Sequence, residues 1–560
     1  MPARSAQWCR FLVPRSISLL VALVALASPA LAAGAPPVEP AGTSDARPEI
    51  RALWVDAFHA GIRSPGEAAQ LIADARRLNV NTLIVQVRRR GDALYSSTIE
   101  PPLDDPAYDP SFDALAHIVR EAHAAGLQVH AWINAMPLWR DEAPPRDARH
   151  VFNRHGPSVT GDGNWLTRSR EGNQRFPVGY FLDPGHPAAR DHLVSVYTDI
   201  VRRYPVDGIH FDYIRYPETD DRLPRGANVG YNPVSLVRFA KATGRTDVPA
   251  PDDEAWTRWR RQQVTELVRR ISVEARAINP RIKVSAAVIA WGRPPRDLKD
   301  FPNTAPMQRI FQDWRSWLEE GILDLAVPMN YAREHDATVR EWFNGWIAFE
   351  KKHKRERQLA VGVGGYLSEP RGVLAQIERV RGAQRSARAD GVSIFSYNQP
   401  SAPPPAAAAA PAAAPQAAAP ASGAAPAGQA PLPVVAPPPP PRPERLDVLV
   451  NGVASMPGAF ARPAPVPPMP WIERPTRGYI AGSVTGANGA GLDGARVRVV
   501  RRRLFGGTKR MVTDANGWFG LTGLKPGRYR VEVEGSNGTA GARMEVEVTA
   551  GEVIQAALFR

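Results

Sequence analysis

The sequence predicts an α/β protein whose main part is a (β/α)8 TIM barrel. Eight short apolar runs recur between residues 48 and 398, and helix-like segments lie between most of them. This alternation is typical of parallel strands that close into a barrel with the helices outside. An open doubly wound sheet is the alternative. Such a sheet usually has a glycine-rich phosphate turn after its first strand, and DAFHAGIRSPGE is not one.

The predicted strands and helices follow one another along the chain. The strands are RALWVDAF, VNTLIVQVR, LQVHAWINA, VDGIHFDYI, IKVSAAVIAW, LDLAVPMNY, LAVGVGGY and GVSIFSYN. Ser64 and Pro65 suit the N-cap and the first position of a helix after the first strand. A second helical pattern precedes the third strand and ends at Gly126, a residue that readily closes a helix. A longer amphipathic pattern precedes the fifth strand.

The N-terminal residues 1–32 are predicted to be a signal peptide. A basic front precedes a short apolar stretch and an Ala-Leu-Ala cleavage site. The stretch is too short for a membrane-spanning helix, and no later segment is long and apolar enough for one. We therefore expect a periplasmic or secreted protein without a transmembrane segment after signal cleavage.

Two further regions follow the predicted barrel. Residues 399–477 are dominated by alanine and proline and are predicted to be an extended linker. Local docking of its RLDVLVNGVASM stretch stays open. Residues 478–560 alternate short strand patterns with glycine, asparagine and aspartate turns, which predicts a small all-β sandwich.

Charge and cysteine content exclude some function classes. The chain of 560 residues has a formal net charge of +14, which favours anionic surfaces or polymers. It has no dense Lys/Arg tail with interleaved aromatic residues, so no nucleic-acid partner is predicted. Its single cysteine, Cys9, lies in the signal peptide. The mature protein is therefore predicted to have no disulfide and no thiolate metal site.

Several predicted strands carry polar residues on one face. Successive strand residues point to opposite faces, so we expect the aliphatic face to meet the helices and the polar face to line the barrel. The last inward residues then form the carboxyl-terminal rim, where barrel enzymes have their active sites. The inward candidates are Asp56, Arg88, His130, Asn134, His210, Asp212, Trp291, Asn330, Tyr366 and Tyr397. These acids, hydrogen-bonding groups and flat aromatic rings suit a sugar, and Trp291 is predicted to stack on one.

Asp212 is the leading catalytic candidate because a buried acid is costly unless it is paired or used. It stands at the inward, carboxyl-terminal end of the fourth predicted strand. We predict a catalytic carboxylate at this position. A structural ion pair with Arg88 or Arg215 is the alternative.

Five motifs resemble glycoside-hydrolase-like family 10 proteins over about residues 48–398. The motifs are RALWVDAF, NTLIVQVRRRGDALY, FLDPGHPAAR, DGIHFDYIRYP and VPMNYAR. The resemblance implies an exported (β/α)8 barrel that cleaves peptidoglycan glycan strands lacking their peptides, with Asp212 as the catalytic residue. It also implies site or supporting roles for Arg88, His210, Tyr213, Arg215 and Tyr331. The C-terminal LKPGRYRVEV stretch and its neighbours resemble the carboxypeptidase regulatory-like domain, which implies a transthyretin-like sandwich.

Glycoside hydrolysis usually needs a second carboxyl group. Glu334, on the loop after the sixth predicted strand, is our candidate, and the alternatives are Asp336 on the same loop, Asp56 and Asp92. If the substrate carries N-acetyl groups, the amide of the sugar can replace the second carboxylate, and Asp212 with Tyr331 would suffice. We predict no cofactor and no metal, because the inward histidines are interpreted as hydrogen-bonding groups.

The sequence thus predicts a hydrolase of glycosidic bonds in an amino-sugar polymer of the cell envelope, foremost peptidoglycan. Two alternatives stay open. One is a hydrolase of an exopolysaccharide, and the other is a non-catalytic scaffold that binds envelope glycan.

Overall fold

A computed structural model describes most of the chain. The described residues are 47–219, 225–382, 388–399, 443–503, 507–534 and 540–559. The predicted signal peptide and most of the predicted linker lie outside them.

Eighteen strands and twelve α-helices are formed by the described residues. The strands are β1 Ile50–Val55, β2 Thr82–Arg88, β3 Gln128–Asn134, β4 Pro137–Trp139, β5 Arg175–Phe176, β6 Gly179–Phe181, β7 Gly208–Asp212, β8 Lys283–Val288, β9 Leu325–Pro328, β10 Gln358–Gly364, β11 Gly391–Phe395, β12 Gly478–Thr485, β13 Arg496–Arg501, β14 Thr508–Val512, β15 Trp518–Leu524, β16 Gly527–Glu534, β17 Ala540–Val548 and β18 Val553–Phe559. The helices are α1 Pro65–Arg77, α2 Ala114–Ala124, α3 Val151–His155, α4 Pro187–Arg203, α5 Pro233–Thr243, α6 Glu254–Ile278, α7 Ala305–Gln308, α8 Trp314–Glu320, α9 Ala337–His353, α10 Pro370–Arg381, α11 Pro443–Asn451 and α12 Pro470–Glu473.

The prediction of a (β/α)8 barrel is confirmed. Eight parallel strands close in the order β1-β11-β10-β9-β8-β7-β3-β2, and each of the eight predicted apolar runs supplies one strand. The strands are buried on both faces, since helices cover the outside and side chains fill the inside, and this explains the continuous apolar runs. A small antiparallel sheet, β4-β6-β5, is inserted between β3 and α4 at the carboxyl-terminal rim.

Large rings fill the interior of the barrel below the rim. Trp54 of β1 and Tyr331, just after β9, meet at 6.4 Å between ring centroids. Gly362 and Gly364 of β10 face these rings, and a Cβ at either position would lie about 3.0 Å from ring atoms of Trp54 or Tyr331. The two glycines therefore make room for the aromatic side chains under the rim.

The opposite, amino-terminal end of the barrel is closed by the C-terminal part of the predicted linker. Met469 packs in the same interior cluster as Ile50 and Leu325. Gln358 donates to the carbonyl oxygens of Pro467 and Pro468 at 3.1 and 3.0 Å. Residues 459–473 are thus a docked plug, not an extended spacer, because their few large apolar side chains find an open barrel end to bury in.

The C-terminal region forms the predicted all-β sandwich. One sheet has the order β15-β12-β18 and the other β14-β13-β16-β17. The sandwich docks on α4 and α6, where Asp514 accepts from Arg190 at 3.2 Å and from Arg270 at 3.4 Å. Across the described parts of the chain, no helix is both long and apolar enough to cross a membrane.

Candidate active site

Asp212 ends β7 at the carboxyl-terminal rim, as the sequence predicts. Its side chain is largely enclosed, and only 6% of the residue is exposed. The next residue, Tyr213, has a positive φ of 48°, which is uncommon for a residue other than glycine and turns the chain sharply at this point. The amide of Tyr213 donates back to Asp212 Oδ1 at 2.6 Å. The acid is therefore held at the end of the strand by its own turn.

The neighbouring strand supplies polar partners for this acid. Asn134, the last residue of β3, lies beside Asp212 in the barrel register. The indole of Trp132 donates to Asn134 Oδ1 at 2.9 Å and also hydrogen-bonds Asp212. Burial raises the pKa of Asp212, against the lowering effect of the Arg215 charge and of these hydrogen bonds. The carboxyl group thus holds its proton to a higher pH than an exposed aspartate does.

Arg215 lies against Asp212 and is fixed by two aromatic rings. Its Nη1 is 3.7 Å from Asp212 Oδ1. The guanidinium carbon lies 4.1 Å from the ring centroid of Tyr213 and 5.4 Å from that of Trp291. Trp291, predicted to stack on a sugar, is half-buried and occupies one face of this arginine. The structure thus brings Asp212, Arg215 and Trp291 together.

Aromatic side chains line the site on the side of β9 to β11. Tyr331 contacts Phe395 at 5.4 Å and Tyr366 at 6.1 Å between ring centroids. Burial raises the pKa of Tyr331 well above its ordinary value, and the charge of Asp212 acts in the same direction. The hydroxyl of Tyr331 is buried and has no hydrogen-bond partner. An unpaired buried hydroxyl in a candidate site is a group that a substrate can satisfy.

Glu218 is a site residue that the sequence reasoning missed. Its Oε1 lies 3.8 Å from Nη2 of Arg215, so it approaches the guanidinium that also contacts Asp212. Burial raises the pKa of Glu218, against the charges of Arg215 and Arg309. Glu218 stands in the loop after β7, where strand parity gives no orientation. Its proximity in sequence to Asp212 is the only signal that could have found it.

The two inward histidines lie inside the barrel, below the rim. The indole of Trp54 donates to Nε2 of His210 at 3.2 Å, so the neutral ring carries its proton on Nδ1, which is 2.9 Å from Ser285 Oγ. His130 Nδ1 lies 3.0 Å from the same hydroxyl oxygen. Burial lowers the pKa of both histidines. They are neutral supports of the barrel core and do not reach the acid as proton donors.

The predicted inward position of Arg88 is corrected by the structure. The pairing of β2 with β3 shifts between Gln86 and Arg88, so Arg88 lies beside Ile133 and turns to the helix side. There it is fully buried and forms two hydrogen bonds of 2.7 Å to Glu100. A one-residue irregularity reverses every later side chain of a strand, and the sequence does not show it. Arg88 is therefore a structural cation outside the site.

Asn330 is also misplaced by the parity argument. In β9 the aliphatic residues Leu325 and Val327 fill the barrel interior. Residues with odd numbers therefore point into the barrel, and Asn330 points outward to α9. Its Nδ2 donates to Glu350 Oε2 at 3.0 Å. Both faces of β9 are apolar. The rule that the aliphatic face of a strand meets the helices therefore predicted the wrong direction for the side chain of Asn330.

Glu350 gives a pH-dependent prediction. Burial raises its pKa to about 8 from the ordinary 4.5, so it is a neutral acid in the folded protein near pH 7. A raised pKa stabilises the fold below the unfolded pKa, and this contribution is lost as the pH rises through about 8. We expect Glu350→Gln to match the parent near pH 4 and to be more stable by up to about 5 kcal/mol near pH 9, because the pKa rises from 4.5 to about 8 and each pKa unit is worth about 1.4 kcal/mol.

The measurement is urea unfolding of both proteins at several pH values. Glu378→Gln, on the exposed face of α10, is the control and should follow the parent at every pH. If the unfolding free energies of the parent and Glu350→Gln changed with pH in parallel, Glu350 would not be a buried neutral acid.

Glu334, the predicted second carboxylate, is turned away from the site. Arg379 of α10 holds it through two hydrogen bonds, one of 2.6 Å from Nη1 to Oε2. The alternatives are occupied as well. Asp56 accepts from the amide of Phe58 and contacts His59 at 2.6 Å, and buried Asp92 pairs with Arg89 at 3.1 Å. The structure thus gives each of these acids a local partner.

Replacement of Glu334 tests its exclusion from catalysis. We expect Glu334→Gln to retain the kcat of the parent within about two-fold, because Arg379 and not the rim holds this carboxylate. Initial rates of glycan cleavage, compared after matching the folded fraction by circular dichroism, give the answer. A loss of 100-fold or more, the size expected for a general acid or base, would return Glu334 to the mechanism.

Within the described ranges, no group of three or more His, Cys, Asp or Glu side chains is arranged to hold a metal ion.

A cleft of about 410 Å³ lies on the inserted β4-β6-β5 sheet. Its lining residues are Pro157, Gly172, Asn173, Gln174, Arg175 and Tyr180. This cleft is at the same end of the barrel as Asp212, but it does not contain the acid.

A closed (β/α)8 barrel with an enclosed acid at its carboxyl-terminal rim is the architecture of a large class of barrel enzymes. The chain belongs to the glycosyl hydrolase-like 10 family, which matches residues 49–361. A carboxypeptidase regulatory-like domain matches residues 479–558, in agreement with the predicted C-terminal sandwich.

Similar proteins carry related descriptions. Glycosyl hydrolase DigH of Escherichia coli (strain K12) is 28% identical over 283 residues, which are 48% of this chain and 59% of that protein. Glycosyl hydrolase YngK of Bacillus subtilis (strain 168) is 26% identical over 342 residues, 57% of this chain and 61% of that protein. The chain thus spans about three fifths of these relatives. The PgaB (BpsB) glycoside hydrolase domain from Bordetella bronchiseptica has a TM-score of 0.45 at 14% identity, over 62% of this chain and 94% of that one.

Proposed function

We propose that the protein hydrolyses glycosidic bonds in an amino-sugar polymer of the cell envelope, and that its substrate is the glycan strand of peptidoglycan without attached peptides. The single observation that carries the proposal is the setting of Asp212. An acid with a raised pKa stands at the rim of a glycoside hydrolase barrel, between an arginine and a set of aromatic rings.

The side chains around Asp212 suit a sugar better than a charged ligand. Tyr331, Tyr366 and Trp291 offer flat faces to the C–H side of a sugar ring. The unpaired Tyr331 hydroxyl and the unsatisfied Nη1 of Arg215 offer hydrogen bonds to sugar hydroxyl or acetamido groups.

Acid catalysis follows from the state of Asp212. A protonated carboxyl group beside the glycosidic oxygen gives its proton to the leaving alcohol as the bond from C1 to oxygen breaks. Burial raises the pKa of Asp212, so the carboxyl group keeps this proton to a higher pH than an exposed aspartate does, and the charge of the fixed Arg215 limits how far the pKa rises. The aromatic walls keep bulk water from competing for the proton.

Product analysis tests the proposal. Purified protein is incubated with peptide-free glycan strands, with intact peptidoglycan and with an exopolysaccharide rich in amino sugars, and the products are identified by mass spectrometry. We expect new reducing ends on the peptide-free strands and little cleavage of the intact polymer. Cleavage of the exopolysaccharide alone would show that peptidoglycan glycan is not the substrate. Products with 1,6-anhydro ends would show that the reaction is an internal transfer and not a hydrolysis.

We further propose that the protein acts outside the cytoplasm, after removal of residues 1–32. The support is the pattern of basic, apolar and small residues at the N-terminus. Mass spectrometry of the protein from fractionated cells should find a new N-terminus after Ala32 in the exported fraction. Full-length protein retained in the cytosol would contradict export.

A further inference from the structure

Two carboxyl groups approach the same guanidinium at the rim. Arg215 Nη1 is 3.7 Å from Asp212 Oδ1, and its Nη2 is 3.8 Å from Glu218 Oε1. Glu334 and Asp92, by contrast, are each paired with an arginine elsewhere. Glu218 is therefore the acid that the described structure brings to the same cation as Asp212.

The spacing of the two acids is fixed by a rigid group. Arg215 is only 3% exposed, and the rings of Tyr213 and Trp291 both lie against its guanidinium. A planar guanidinium held between aromatic rings has little freedom to move. Its Nη1 hydrogen-bond capacity is also not satisfied, so it can donate to a substrate or water that enters between the acids.

The surroundings of the two acids differ in the way that acid and base roles require. The Asp212 side chain is 8% exposed and is covered by aromatic residues. The side chain of Glu218 is 26% exposed and lies on a loop. Water therefore reaches Glu218 more readily than Asp212.

We propose that Glu218 is the general base of this enzyme, that Arg215 is the residue that positions it relative to Asp212, and that the glycosidic bond is cleaved with inversion at C1. This inference rests on the proposed function, since it assigns roles within the same site. It names a residue that neither strand parity nor motif resemblance selected.

The reaction balances with one water molecule. Asp212 gives its proton to the glycosidic oxygen, and the C1–O bond breaks with its electron pair on the leaving alcohol. Water attacks C1 from the opposite face and passes a proton to Glu218. Asp212 ends as a carboxylate and Glu218 as an acid, and proton exchange with solvent restores both.

Inversion follows from the group that stands between the acids. Retaining enzymes bring their two carboxyls to ≈ 5–5.5 Å so that one can attack C1, whereas inverting enzymes leave ≈ 6.5–9.5 Å for a water molecule. Contacts of 3.7 and 3.8 Å join the two carboxyls to different nitrogens of one guanidinium. The unsatisfied Nη1 of that guanidinium can hold a water molecule beside the acids, as the inverting reaction requires, and we therefore assign inversion.

The first experiment is the stereochemistry of the wild-type reaction. Proton NMR of a freshly cleaved oligosaccharide, recorded before mutarotation, should show the anomer opposite to that of the substrate. A product that keeps the configuration of the substrate would overturn the inference. It would indicate that a carboxylate of the protein or the acetamido group of the substrate attacks C1.

The second experiment replaces the base. Glu218→Ala should lower kcat by about 10²–10⁴-fold, and added azide should restore turnover by forming a glycosyl azide of inverted configuration. Asp212→Asn should not be rescued by azide on the same substrate, and Glu334→Gln is the control that stays active. Full activity of Glu218→Ala while Asp212→Asn is inactive would overturn the role of Glu218 and leave the proposed function standing. Absence of glycan cleavage by the parent would overturn both.

Two measurements distinguish a positioning role of Arg215 from a general loss of structure. Removing the positive charge in Arg215→Gln should raise the pKa of both acids, so both limbs of the bell-shaped pH–rate curve should move to higher pH. A lower kcat with unmoved limbs would contradict the positioning role. If Glu218→Ala fails to fold, Glu218→Gln replaces it in these measurements. A ¹³C NMR titration of Glu218→Gln should show a lower Asp212 pKa than in the parent, because a neighbouring negative charge has been removed.

Discussion

Asp212→Asn should lower kcat for cleavage of peptide-free glycan strands by about 10²–10⁴-fold, with a much smaller effect on KM. Asparagine keeps the size and one acceptor oxygen of the side chain but has no proton to give to the leaving group. The amide of Tyr213 and the indole of Trp132 can still hold the side chain in place. The loss therefore reports chemistry and not the fold.

Release of reducing ends and co-sedimentation with insoluble glycan give the two measurements. We expect Asp212→Asn to bind glycan as the parent does, and Glu334→Gln to match the parent in both assays. Equal cleavage by the parent and Asp212→Asn would remove Asp212 from the mechanism. Binding by both without cleavage by either would favour the scaffold alternative.

The pH dependence adds a check on the role of Asp212 as an acid. Only the protonated form can give a proton to the leaving group, so kcat should fall as the pH rises through the raised pKa of Asp212. Because burial causes this rise, the alkaline limb should lie above the range of an exposed aspartate. An activity that increases steadily with pH would contradict the assignment.

Glu100→Ala should cost about 3–5 kcal/mol of unfolding free energy, because it leaves the buried guanidinium of Arg88 without its carboxylate. Both side chains are completely buried, and His192 also contacts Glu100 at 2.8 Å. Burial raises the pKa of Glu100, but the charge of Arg88 and the contacts with His192 outweigh it and hold the pKa well below the ordinary value. The ion pair is therefore intact at neutral pH.

Urea unfolding measures this effect, and two variants sharpen it. Glu254→Ala removes an exposed ion pair to Arg258 and should cost no more than about 1 kcal/mol. Replacing both partners, in Arg88→Met with Glu100→Leu, should recover much of the loss, because no unpaired charge stays buried. Since the pKa of Glu100 is depressed, the contribution of this ion pair to the unfolding free energy is present at neutral pH and is lost on acidification. The parent should therefore lose more stability in acid than Glu100→Ala does. A cost below 1 kcal/mol for Glu100→Ala would show that Arg88 finds another partner.

The general architecture could be predicted because it depends on local patterns. Apolar runs alternating with amphipathic helices define a barrel, since buried parallel strands and their covering helices each leave their own periodicity. Asp212 was found in the same way, as a polar residue at the end of an apolar strand. The C-terminal sandwich was likewise visible in its turn residues.

Side-chain direction was less predictable where the local rule was incomplete. The register shift in β2 turned Arg88 outward, and the two apolar faces of β9 gave no sign that Asn330 meets Glu350. The docked plug at residues 459–473 was also hidden, because alanine and proline dominate the region that contains it. In each case a contact between distant segments decided the outcome.

The sequence by itself determined the fold class, the C-terminal module and the position of one acid, because these depend on composition and on periods of two and 3.6 residues. The sequence also named Arg215, Trp291 and Tyr331 as candidates, but only the tertiary structure decided that they lie around that acid and that Glu218 joins them. Arg215, Trp291, Tyr331 and Glu218 come from loops and strand ends whose orientation depends on packing across the barrel. Strand periodicity stops at the rim, so it gives no side-chain direction for Arg215 and Glu218, although both follow Asp212 closely in the chain. Packing of the guanidinium against the rings of Tyr213 and Trp291 decides where it lies.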